Sequence, residues 1–114
     1  MTAAPEWVDV GAAADILPRS ARVVRTTEGD VAVFRTAADT YFAIDNRCPH
    51  RGGPLSEGIV HGESVTCPLH NWVISLETGR SLGADEGCVA TVPIRVEDGR
   101  LYIGLRDSAA AEAA

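Results

Sequence analysis

Two short words, CPH at 48–50 and CPLH at 67–70, constrain this chain more than anything else in it. Each sets a histidine just behind a cysteine with a proline between them, and 16 residues separate His50 from Cys67. Thiolate sulfur is soft and charged, whereas imidazole nitrogen is neutral and of borderline softness. Cys48, His50, Cys67 and His70 therefore make a donor set able to hold zinc or a two-iron cluster. Mixed zinc sites usually present paired cysteines and then paired histidines. The order here, Cys–His and again Cys–His, suits a site where each loop gives its cysteine to one iron and its histidine to the other. The fold must then bring two loop tips together.

The rest of the sequence reads as short strands broken by glycine. WVDV (7–10) alternates, and GAAADI beyond it makes a helical turn before Pro18. ARVVRT (21–26) and DVAVFRT (30–36) flank a tight turn at TEGD, with Val31 and Val33 on one face and Ala32 and Phe34 on the other. TYFAI (40–44) is a third strand that runs straight into the first cysteine loop. GIVHGESVTC (58–67) gives two short strands about Gly62 and delivers the second loop, and NWVISLETGRSL (71–82) turns at Thr78–Gly79. The clearest hairpin comes last: Val92, Ile94 and Val96 alternate before Asp98–Gly99, and Leu101, Ile103 and Leu105 after it. The expectation is an all-β domain of small antiparallel sheets, with a cluster-binding subdomain of two loops at about 46–55 and 66–72. It spans 1–106 as a single domain and ends in a frayed tail at 107–114.

Composition removes whole classes of function. At 114 residues there is room for one domain with a real core, not two. A net charge of −6 argues against nucleic acid, which asks for a basic surface. The N-terminal MTAAPEWVDV lacks the basic start and apolar run of a signal peptide, and no stretch approaches the roughly 18 apolar residues of a membrane span. An odd count of 3 cysteines fits a reducing compartment, so a cytoplasmic protein with no membrane partner is expected.

The paired words resemble the Rieske [2Fe–2S] motif, C-x-H followed by C-x-x-H. The resemblance implies that Cys48 and Cys67 hold a buried iron, while His50 and His70 hold the iron nearer solvent, where electrons enter and leave. Neutral imidazoles in place of two thiolates lower the cluster's negative charge and make reduction easier. Gly52, Gly53 and Gly58 allow tight turns and close backbone approach, and Pro49, Pro54 and Pro68 stiffen the loops. High-potential Rieske proteins of respiratory complexes add a disulfide between the loops and two hydroxyls after the second histidine. The matching positions here are Gly53 and Leu69, then Trp72 and Ile74, so a potential toward the low end of the roughly −150 to +300 mV range is expected.

The likeness extends along nearly the whole chain to the small subunit of assimilatory NAD(P)H-dependent nitrite reductase. It is carried by VAVFRT, DNRCPHRGGPLSEGIVHG, VTCPLHNWVISLETG, LGADEG and VPIRVEDGR. Some members of that family lack the four ligands, and this chain keeps them. The resemblance implies an electron-transfer or accessory subunit, with no substrate site of its own and no catalytic residues. Its large partner subunit would carry FAD and siroheme and reduce nitrite to ammonium with six electrons. The alternative is a free-standing Rieske ferredoxin running between a flavin reductase and an aromatic-ring oxygenase. A third reading makes the cluster a folding staple alone.

Other conspicuous residues have plainer readings. His61 reads as a surface residue, Cys88 as a buried or spare thiol, and Trp7 as core. Trp72 either packs in the core or lies over the cluster toward a partner. The acidic ADE at 84–86 reads as a solvated loop.

Overall fold

The computed structural model describes residues 6–26, 29–48, 54–68, 72–82, 87–105 and 112–113. Strand β1 (Glu6–Ala12) opens the chain, and a single 3-10 turn at Ala13–Asp15 follows it where the helical turn was expected. β2 (Ser20–Thr26), β3 (Gly29–Arg35) and β4 (Tyr41–Asp45) then form an antiparallel meander. A second 3-10 turn at Leu55–Glu57 precedes β5 (Ile59–His61), β6 (Ser64–Thr66), β7 (Val73–Ser75) and β8 (Ser81–Leu82). β9 (Thr91–Val92), β10 (Ile94–Glu97) and β11 (Arg100–Leu105) close the domain. Within the expected tail, β12 (Glu112–Ala113) pairs with Arg25 and Val24 of β2.

These strands make three sheets: β1-β11-β10, β12-β2-β3-β4-β9, and the small β5-β6-β7-β8. No strand pair is parallel among the described residues, as the all-β reading requires. The hairpin expected at Asp98–Gly99 joins β10 to β11, and both turn residues take positive φ, +50° and +76°. A type I′ turn needs that conformation, and Asp-Gly tolerates it.

β3 is buried on both faces. Ala32 and Phe34 enter one core with Ile44, Val65, Ile74 and Leu76; Val31 and Val33 enter another with Val24, Leu101, Ile103 and Leu105. Alternation therefore divides the strand as the sequence suggests, but each half meets a different sheet. Burying a side chain such as Ile103 or Leu101 contributes roughly 1.5–3 kcal/mol.

One residue expected in the core sits elsewhere. Trp7 is half-buried on the outer face of β1, sharing that face with exposed Asp9, while Val8 and Val10 turn inward. The Arg95 guanidinium stacks 4.5 Å over its ring and also lies 5.8 Å from the Tyr102 ring, covering apolar surface without a second layer of strands. Val96, which alternates with Ile94, is 46% exposed on β10, the edge strand of its sheet, although its partner Leu101 on β11 is buried. No helix among the described residues is long and apolar enough to cross a membrane.

Candidate metal centre

The first cysteine loop grows out of β4. Asp45 donates its backbone N–H to Ala90 O at 2.9 Å, and Asn46 donates to Asp30 O at 2.9 Å, so the chain leaves the sheet tethered on both sides. Cys48 lies two residues on, 2% exposed. Residues 49–53, including His50, Gly52 and Gly53, lie outside the described residues. The loop returns at Pro54 into the second 3-10 turn, where Leu55 is wholly buried and Ser56 donates its N–H to Asn46 Oδ1 at 2.8 Å. An N–H donor can only meet the oxygen of that amide, which fixes its orientation.

The second loop is the connection between β6 and β7. Cys67 follows Thr66 directly, is wholly buried, and donates its N–H to Trp72 O at 2.7 Å, a main-chain bond that closes the loop. Leu69, His70 and Asn71 lie outside the described residues. Gly58 lets the two loops approach each other. A Cβ there would run into Thr66 O and stand 2.9 Å from Val65 Cγ2, so any side chain would push the return of the first loop away from the strand feeding Cys67.

Of the four expected ligands, the structure places Cys48 and Cys67 in one buried group with Ala32, Phe34, Leu55 and Val65, and no disulfide links any of the three cysteines. His50 and His70 are not among the described residues, though each is tied by short sequence to a placed cysteine. Two soft sulfur donors brought from separate loops into one buried group, with histidines two and three residues further along the sequence, fit a two-iron cluster. Trp72 is half-buried and packs against the same group, so it belongs to this core. Neither Trp72 nor the buried Ile74 can offer a hydroxyl to the site.

The remaining candidates stand apart. His61 is exposed and its Nε2 lies 2.7 Å from Thr66 Oγ1, bracing the β5–β6 hairpin. Cys88 is exposed, not buried, and bridges to Arg80 through the backbone. The acidic loop at 84–86 lies outside the described residues. Asn46 went unremarked in the sequence, where its one signal was an Asx residue two positions before a loop cysteine, a type that favours side-chain-to-backbone bonding in turns.

The profile of the Rieske [2Fe-2S] domain matches residues 6–93. The ferredoxin component of the naphthalene 1,2-dioxygenase system of Pseudomonas putida is 30% identical over 101 residues, spanning 88% of this chain and 96% of that one. The 4beta-methylsterol monooxygenase of Methylococcus capsulatus is 41% identical over 66 residues, 58% of this chain, but that match spans just 18% of the larger protein. Among solved structures, a chain from Mycobacterium tuberculosis, provisionally described as an NADH-dependent nitrite reductase small subunit, superposes with a TM-score of 0.80. Its identity is 25%, and the match covers 88% of this chain and 95% of that one.

Proposed function

The chain belongs to the Rieske [2Fe-2S] domain family, and on that premise we propose that it is the small subunit of an assimilatory NAD(P)H-dependent nitrite reductase. In this reading Cys48 and Cys67 hold one iron, and His50 and His70 hold the other. When bound, such a cluster takes up and gives back one electron at a time. What the chain itself supplies is the setting: two cysteine sulfurs drawn into an apolar core, each followed closely in sequence by a histidine. Cys48 and Cys67 are buried, so they would keep water from the iron they hold, and electrons would be exchanged through the iron held by the histidines.

The observation that carries the finer assignment is the second ligand loop with the strand after it. CPLHNWVISLETG, followed by ADEG, is worded like the nitrite reductase small subunits, and the likeness in fold to the mycobacterial chain supports it. The partner would be a large subunit bearing FAD and siroheme, since neither group has room in a domain of this size. The chain would act as a single domain over 1–106.

A second reading is favoured by a specific observation, the identity with the naphthalene dioxygenase ferredoxin over nearly the full length of both chains. It makes the protein a shuttle between a flavin reductase and an oxygenase. A subunit stays bound and a shuttle must dissociate, so a tagged pull-down from host cells growing on nitrite separates the two. Co-purification of a siroheme-bearing chain, with NAD(P)H-dependent nitrite consumption in the eluate, is the expected result. A brown protein that elutes alone, is inert toward nitrite, and accepts electrons from a flavin reductase would transfer the assignment to the shuttle.

A further inference from the structure

The two ligand loops are closed by different means. Around Cys67 the closing bond is main chain to main chain, Cys67 N–H to Trp72 O, and no substitution removes it directly. Around Cys48, among the described residues, a side chain closes the loop: Asn46 Oδ1 accepts from Ser56 N–H at 2.8 Å across a separation of 10 residues. The same residue fixes the near end of the loop by donating its own N–H to Asp30 O at 2.9 Å. Asn46 thus links β3, the start of the loop and its end. Ser56 in turn sits beside Leu55, which is wholly buried in the core that holds both cysteines.

We propose that Asn46 is a positioning residue for the cluster, acting through this bond to hold together the two ends of the loop that carries Cys48 and His50. The proposal rests on Cys48 and His50 being ligands and is independent of which redox partner the chain serves. Opening the bond lets the loop ends separate and restores conformational freedom that ligation must again remove. A loop that opens more often exposes its iron ligands to exchange more often. Loss of the cluster should therefore quicken even while the domain as a whole stays folded.

The test uses the loaded protein and two readouts: hydrogen exchange at the Ser56 amide, and the rate of iron transfer to a chelator. Asn46→Ala should speed both by about tenfold, the scale of one lost loop hydrogen bond. Asn46→Asp keeps an acceptor for the same N–H and should return both to within about twofold of the parent. Thr36→Val is the control. Thr36 is buried, and its Oγ1 accepts from Thr40 N–H at 3.1 Å across the turn at the far end of β3, so its loss lowers overall stability away from the loop. It should leave the iron-transfer rate near the parent's, and failure of N46A to load where N46D and T36V both load would be the same result in extreme form. Equal rates for N46A and the parent, equal acceleration in N46A and T36V, or no rescue in N46D would each overturn the proposal. A parent protein purified without iron would instead remove the cluster reading beneath it.

Discussion

Ala32 and Phe34 point to one side of β3 and Val31 and Val33 to the other; all four are buried, yet the two cores they enter are built differently. The buried residues of the core shared with Leu101, Ile103 and Leu105 are all aliphatic, and the strands β1, β2 and β11 that frame it run to seven, seven and six residues. The core shared with Cys48 and Cys67 is framed on its far side by strands of only two and three residues, joined by loops. Long strands with apolar faces hold together by burial alone. Short ones gain little from pairing and need a cross-link, which a cluster bound by both loops would supply. One face of the central sheet is thus a frame, and the other is a socket.

Substitutions that break this contrast should differ in kind, the largest coming first. Cys48→Ser or Cys67→Ser should abolish the brown chromophore and bound iron, read by absorbance and iron analysis, with the frame still folded. Leu101→Ala should do the reverse: it should cost about 2–5 kcal/mol in denaturant titration, while protein that remains folded keeps an unaltered visible spectrum. Removing the cluster chemically should raise hydrogen exchange across β5 to β8 and leave β1, β10 and β11 protected. Equal deprotection of both regions would erase the distinction between frame and socket.

A finer test is Gly58→Ala. The added Cβ meets Thr66 O, so this one methyl should cost about 1–3 kcal/mol and loosen the cluster more than a similar change in the frame. The smallest effect belongs to the outer face of the frame. There Asp9 accepts from Arg100 Nε and Nη2 at 3.0 and 2.9 Å, and these bonds together with one from Gly11 N–H hold its carboxyl below the ordinary value. A lowered carboxylate stabilises the fold above its unfolded-state pKa and loses that contribution as pH falls through the folded one. Both side chains are exposed, so Asp9→Asn should flatten the acid limb of a pH–stability curve slightly, and added salt should shrink the difference.

Much of this was legible because each signal was local. Asp98–Gly99 specified its hairpin through backbone conformation, and the alternation in DVAVFRT specified which residues share a face. What periodicity could not say was that both faces of β3 would be covered, since that depends on which distant strands pack there. Trp7 shows the opposite limit. Size and hydrophobicity suggested core, but Asp9 two residues on marked that face as the wet one, and an arginine from a distant strand provides the cover. At the candidate site, spacing and chemistry named four candidate ligands, and the described residues bring two of them, Cys48 and Cys67, into one core. Asn46 was not legible, because its partner is a backbone N–H that no sequence pattern distinguishes.

The most direct test of the central claim is pulsed EPR on the dithionite-reduced protein, purified anaerobically with 15N-histidine. The account predicts a [2Fe–2S] signal coupled to two imidazole nitrogens, with His50→Ser and His70→Ser each removing one coupling or the cluster itself. A reduced cluster without histidine coupling, or a colourless protein holding stoichiometric zinc, would contradict it.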